Sequence, residues 1–299
     1  MNRKVQRAIA LTKTRGLGWL LRSILAELPL LPHVFITLAR LVSSPRLPRF
    51  LMSMAGIHTN QAWAERAGKL REVTKLFVKS KPVEVLEIGS WFGQGSTATF
   101  FDVLPAGSKV VLVDSWRPYS TKTDQSGAPS ASAKKMDCVP HIAINSTLER
   151  IYQLEKTGRI AATLMRSSSE HGLPMLQDKS FDVIYIDGSH YYDAVKRDIQ
   201  QAKRLIKDEG LICGDDLDLP PSDELLAIAA QHLDEDLILL EQGKAVHPGV
   251  VVAIAEEFEQ VNWHEGFWWI YVRNGEPLLR RPETTSVHQK ARATAASCR

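Results

Sequence analysis

Residues 83–97 read VEVLEIGSWFGQGST, a short apolar run that passes directly into a turn holding three glycines. The run is brief, rich in β-branched residues and closed by glycine, which predicts a strand entering a tight turn. Gly89, Gly93 and Gly95 allow a sharp bend and let a ligand approach the backbone. A dinucleotide fingerprint requires G-x-G-x-x-G. The spacing here is G-x-x-x-G-x-G, with an acid, Glu87, two places before the first glycine. A carboxylate at that place suits an amino-acid ammonium and repels a pyrophosphate.

Working outward, the same rhythm repeats. Upstream, QAWAERAGKLREVTKLFV (61–78) places Trp63, Ala67, Leu70, Val73 and Phe77 at helical steps. Downstream, KVVLVD (109–114), IAATLM (160–165), FDVIYID (181–187) and GLICGDD (210–216) read as four further strands. Tyr191, Val195, Ile199, Ala202 and Ile206 mark a helix between the last two, and GFWWIYV (266–272) closes the series. Strands separated by helical patterns predict an α/β fold with a doubly wound, mostly parallel sheet. In such a sheet ligands sit beyond the carboxyl ends of the strands. Ser90 shares the first of those turns, and Asp114 ends the second strand, where a carboxylate can accept two ribose hydroxyls.

Three more acids fall at strand ends: Asp187 after the fourth strand, Asp215 and Asp216 after the fifth. Neighbouring strands lie about 5 Å apart, so three carboxylates would crowd one spot, and uncompensated like charge is costly. A divalent cation with oxygen ligands relieves that crowding; Mg²⁺ or Mn²⁺ suits hard carboxylates.

The turn and its two acids resemble the class I S-adenosylmethionine (SAM)-dependent methyltransferases, whose first motif is E-x-G-x-x-x-G-x-[GS] with an acid closing the second strand. The block IDGSHYYDAVKRD is similar to a methyltransferase family with the pattern IDGxHxYxxVxxD, which also includes cephalosporin-hydroxylase-like members. Asp187, Gly188, His190, Tyr192, Val195 and Asp198 match it, while Glu209 stands where the family has the first glycine of a pair. HPGVVVAIAEEF and the WW of the last strand fit as well. The resemblance covers about residues 60–273. It implies a Rossmann-like sheet of seven strands, with SAM held by Glu87, Gly89, Ser90, Gly93, Gly95, Asp114, Ser168 and Asp187. Ser168 falls where this fold contacts adenine; an N-cap role for it stays open. The block also resembles the metal-dependent O-methyltransferases of the catechol and macrolide-sugar types, which implies Mg²⁺ on Asp187, Asp215 and Asp216. His190 stands where the catechol type has a basic lysine, so a histidine near neutrality would take the proton from an acceptor hydroxyl. The alternative for His190 is a hydrogen-bonding role at a helix start. His171, His232, His247 and His264 show no metal spacing and read as surface or capping residues.

The ends of the chain differ from its centre. Of the net +3, residues 1–50 hold nine Lys/Arg against Glu27 alone, a net of +8, and residues 276–299 add +3. The centre is therefore net −8, which argues against nucleic acid as a partner. The arm, residues 1–58, is basic and apolar. It has only 12 charge-free residues between Glu27 and Arg40, broken by Pro29 and Pro32, against the roughly 20 of a membrane span. A helical cap on the domain or on a second subunit, as in a homodimer, is the expectation. Peripheral membrane contact through residues 1–50 is the alternative. Three scattered cysteines without framework spacing indicate a reducing, cytoplasmic setting.

The catalytic domain is then expected at 59–275, with a polar lid or substrate loop at 115–147 and a disordered basic tail at 276–299. Within the loop, Trp116, Arg117, Tyr119 and Lys122 are candidates for acceptor contact. The function this predicts is Mg²⁺-assisted methylation of a hydroxyl on a sugar, polyketide or phenolic small molecule. Two alternatives stand beside it: a metal-independent or hydroxylase-like enzyme of the same fold, and a non-catalytic protein recruited to a membrane-bound complex.

Overall fold

The computed structural model describes residues 64–118, 139–240 and 243–280. The N-terminal arm, the centre of the 115–147 loop and the basic tail beyond residue 280 lie outside the described residues. Tyr119 and Lys122 are among them.

The strands form where short apolar runs are flanked by turns: β1 (Glu84–Ile88), β2 (Lys109–Asp114), β3 (Ala161–Arg166), β4 (Phe181–Ile186), β5 (Ile206–Leu217) and β9 (Gly266–Arg273). β1 pairs in parallel with β2 and β4, β2 with β3, and β4 with β5. β9 runs antiparallel to β5. With β10 (Glu276–Leu278) at one edge, the order is β10-β9-β5-β4-β1-β2-β3. Two short strands, β8 (Asn262–His264) and β10 (Glu276–Leu278), pair with β9, making eight strands in place of the seven expected. β10 takes the first residues expected in the tail: Asn274 and Gly275, both at positive φ, turn the chain back onto β9. A separate small pair, β6 (Ile238–Leu239) and β7 (Ala245–Val246), lies off the main sheet.

Strand alternation divides the core into two layers. Leu86, Ile88, Ile184, Ile186 and Ile212 pack with α5 (Tyr192–Leu205) and α7 (Pro248–Glu257). Val85, Val183, Tyr185, Leu211 and Cys213 pack on the other face with α1 (Ala64–Val78), α2 (Gly95–Val103) and α3 (Pro140–Glu155). Both faces of the parallel strands are covered, which explains their near-continuous apolar sequences. Val195, Ile199, Ala202 and Leu205 form the buried stripe of α5.

α3 begins at Pro140, so the last eight residues assigned to the lid loop are helical. Ile142, Ala143, Thr147, Ile151 and Leu154 form its buried face, a stripe masked in the sequence by the polar residues between. Two shorter helices, α4 (Ser169–Gly172) and α6 (Asp223–Ala229), and a 3₁₀ turn at Leu173–Met175 complete the described elements. No helix among the described residues is long and apolar enough to cross a membrane.

Candidate active site

The glycine turn sits at the carboxyl end of β1, stitched to the ends of β2 and β4. The Gly89 N–H donates to Val113 O (2.8 Å) and the Asp187 N–H to Ile88 O (2.8 Å). A Cβ on Gly89 would stand 1.8 Å from the Asp187 carbonyl oxygen, and φ there is +88°. Only glycine lets these two strand ends close up. Asp114 holds the far side of the turn: Oδ2 accepts the N–H groups of Ser90 (3.0 Å) and Trp91 (2.8 Å), and Oδ1 that of Trp116 (2.8 Å). Trp91 and Trp116 both take left-handed φ, at 46° and 40°, a conformation costly for a bulky residue. Their mutual bond, Trp116 Nε1–H to Trp91 O at 2.8 Å, helps hold it. Trp116 is thus a buried wall of the turn rather than an acceptor contact.

Glu87 lies beneath the turn, fully buried. Oε1 accepts from Ser96 Oγ (2.6 Å) and Thr97 Oγ1 (2.9 Å) at the start of α2, while Oε2 is buried with no hydrogen-bond partner among the described residues. Burial raises its pKa to about 7 against the lowering effect of the two hydroxyls. Among the described residues no donor reaches that buried oxygen, an exception to the rule that buried polar atoms are paired. Ser168 occupies the N-cap position of α4 without a side-chain cap; its Oγ pairs with His171 Nδ1 at 2.7 Å. The expected cofactor residues Glu87, Gly89, Ser90, Gly93, Gly95, Asp114 and Asp187 therefore border one edge of the sheet, and Ser168 follows the end of β3 on that edge.

The acids of β5 share one arginine and differ in their other partners. Asp215 shares the sheet face of Cys213 and Leu211, the face covered by α1. There Arg66 Nη1 reaches its Oδ1 at 2.6 Å. The same guanidinium binds Asp216 Oδ1 (3.2 Å), Asp218 Oδ1 (3.3 Å) and, through Nε, the Glu265 carbonyl (2.6 Å). Asp216, at φ +62°, keeps that arginine on Oδ1 and brings Oδ2 within 3.0 Å of His190 Nε2. Ligand atoms of Asp187, His190 and Asp216 lie within 4.8 Å of one another. The trio that meets is thus Asp187, Asp216 and His190; Asp215 lies outside it and pairs with Arg66.

The electrostatics follow this division. Burial, then the charges of Asp215 and Asp216, push Asp187 well above the usual carboxylate range. Burial and Asp216 likewise push Asp215 up, against the pull of Arg66. For Asp216 burial is outweighed by His190, His247 and Arg66, which hold it far below that range. Asp187 is therefore biased towards its protonated form.

Sequence reasoning missed several members of this site. His190 Nδ1 lies 2.9 Å from Asp236 Oδ1, so the imidazole is held between two carboxylates. His247 is not a surface residue: its side chain is 14% exposed, and its ring meets that of His190 with centroids 4.2 Å apart. It does occupy the N-cap position of α7, without a side-chain cap. A Cβ on Gly249 would fall 2.4 Å from both His190 O and Tyr192 N, so the first turn of α7 rests on the main chain that carries His190. The HPG triplet was the available signal, since Pro at the first helical turn and a glycine at close approach are readable. Arg66 and Asp236 left none. Tyr191 is buried beside the site, and Tyr192 OH turns outward to Glu256.

Residues 86–217 match the model of a family described as a methyltransferase domain. No curated protein sequence matches the chain. Among solved structures it is similar to an O-methyltransferase from Bacillus cereus in complex with SAH, at 13% identity, covering 81% of this chain and 97% of that one, TM-score 0.46. It is also similar to cofactor-bound Rv0187 from MTB, at 18% identity, 83% and 100% coverage and TM-score 0.46. A methyltransferase from Geobacter sulfurreducens is similar at 10% identity, 80% and 96% coverage and TM-score 0.42.

Proposed function

We propose that this chain, a class I SAM-dependent methyltransferase by its domain at residues 86–217, transfers the methyl group to a hydroxyl of a small molecule with the help of a divalent cation. The observation that carries the reading is the meeting of Asp187, Asp216 and His190 at the strand edge beside the glycine turn. SAM would occupy that turn, with its ammonium directed to the orphaned Oε2 of Glu87 and its ribose towards Asp114. The two carboxylates supply hard donors for Mg²⁺ or Mn²⁺, and a cation beside Asp187 would offset the like charges of Asp215 and Asp216 that, with burial, hold its pKa up. A bound cation lowers the pKa of an acceptor hydroxyl.

His190 has the neighbours of a general base. Asp236 holds Nδ1 at 2.9 Å, which orients the ring and steadies the imidazolium once formed. Nε2 points to Asp216; with Asp216 engaged elsewhere, Nε2 is the atom that takes the hydroxyl proton. Methyl transfer is an in-line displacement, so the remaining demand on the protein is alignment of oxygen with methyl. A sugar, polyketide or phenolic acceptor with neighbouring hydroxyls is the class we would screen.

The test is calorimetric titration of the full chain with SAM in buffer containing Mg²⁺. Micromolar binding that Glu87→Ala abolishes supports the reading, and acceptor screening with simple catechols and sugars follows. A folded protein that gives no heat with SAM refutes it.

A further inference from the structure

The edge-to-face contact of His190 and His247, at an interplanar angle of 61°, brings two imidazoles from distant parts of the chain to one place. The separation is set by main-chain packing, because Gly249 seats α7 directly on the backbone of His190 and Tyr192. His247 is also oriented. Asp218 Oδ2 lies 2.7 Å from its Nδ1 and accepts its backbone N–H at 3.2 Å, and Asp218 is itself anchored by Arg66. A carboxylate acceptor places the proton on Nδ1, so the lone pair resides on Nε2, which no hydrogen bond engages among the described residues. A carboxylate that fixes the tautomer of a histidine in this way is the usual outer support of a metal ligand. Asp236, 9% exposed, completes the group. Ligand atoms of His190, Asp236 and His247 lie within 4.8 Å of one another.

We propose that His190, His247 and Asp236 form a second cation site, one that takes a transition-series divalent ion such as Zn²⁺ or Co²⁺. Two imidazoles and one carboxylate suit these ions, whereas Mg²⁺ prefers oxygen donors and water. The site thus differs in chemistry from the Asp187–Asp216 side, and binding at it does not rest on the methyltransferase reading. Under that reading it has a consequence: an ion coordinated by His190 removes the base, so Zn²⁺ inhibits turnover while Mg²⁺ supports it.

The experiment titrates the chelator-treated full chain with Co²⁺ in millimolar Mg²⁺ and follows visible absorption. Ligand-field bands that saturate at one Co²⁺ per chain, and that Zn²⁺ discharges, are expected. His247→Gln and Asp236→Asn, each shown to be folded by circular dichroism, should weaken Co²⁺ binding about tenfold or more, while Asp187→Asn keeps the bands. Absence of bands in the unaltered protein overturns the site, as do bands unchanged in His247→Gln or lost in Asp187→Asn. SAM titration of the same preparations separates the two ideas. Heat with SAM but no Co²⁺ bands removes the second site alone, and bands without SAM binding remove the methyltransferase reading alone.

Discussion

Arg66 Nη1 lies 2.6 Å from Asp215 Oδ1, with both side chains largely withdrawn from water at 15% and 8% exposure. The first described helix is thereby tied to the end of the fifth strand. Removing one partner of a buried ion pair leaves the other charge uncompensated, at a cost of about 3–5 kcal/mol. Arg66→Ala should therefore lower the midpoint of urea unfolding sharply. Arg66→Ala combined with Asp215→Asn should lose less than the two single changes summed. Additive losses in that double-mutant cycle would mean that the pair carries no coupling.

Under the proposed reading, the same contact would set Asp215 apart from the cation-binding acids. Asp187→Asn should weaken Mg²⁺ binding about tenfold or more, whereas Asp215→Asn should change it by less than about threefold, since Asp215 is engaged with an arginine. Calorimetric Mg²⁺ titrations in the presence of SAM decide this. Equal losses in both variants would make Asp215 a ligand alongside Asp187.

Glu87 predicts a stability profile with a defined sign. Its pKa rises from 4.5 in the unfolded chain to about 7 in the fold, because burial disfavours the charged form. Between those values the folded state holds a proton that the unfolded state has lost. Stability therefore falls as pH rises through that window and then levels, by about 3 kcal/mol for the full shift. Glu87→Gln keeps an acceptor for Ser96 and Thr97 without the charge. Its melting temperature should exceed that of the unaltered chain at pH 8, with the gap closing below pH 5. Parallel melting profiles across this range would contradict the assignment.

Gly249 is expected to tolerate no side chain. The first atom added would stand 2.4 Å from His190 O and Tyr192 N, both backbone atoms that cannot swing aside. Gly249→Ala should cost about 1–3 kcal/mol by overpacking and should disturb the His190–His247 contact. Thermal melts give the first effect, and histidine ring resonances in NMR spectra report the second. An unchanged melt would show that α7 can move away freely.

Asp114→Asn would test the stitching of the turn. An amide replaces an oxygen that accepts backbone N–H groups with a donor, so at least one N–H loses its partner. A loss of about 1–3 kcal/mol in stability, together with about tenfold weaker SAM binding, is the expected outcome, measured by melts and calorimetry. Retained affinity with lowered stability would confine Asp114 to a structural role.

Much of this arrangement was readable in the chain. The parallel strands fell close to where apolar runs met glycine or aspartate, because a strand buried on both faces must be apolar along its length. The glycine turn was legible because close approach to a neighbouring strand end excludes every other residue. The helical start of α3 was not: its buried stripe mixes threonine and alanine with isoleucine, and periodicity fades when small and polar residues line a packed face. The partners of His190 were hidden for another reason. Asp236 and His247 follow it across separate elements, and no local spacing encodes which loops converge.

By itself, the sequence determined the alternation of strands and helices, the turn after β1 and the set of acids at strand ends, since each depends on residue type and local spacing. Tertiary structure alone decided which of those acids meet. The end of β5, with a left-handed residue at Asp216, gives both aspartates to Arg66 but only Asp216 to His190. The seating of α7 on a glycine then brings His247 against the ring that the sequence had left alone. These are consequences of packing between elements far apart in the chain, where geometry rather than residue order selects the neighbours.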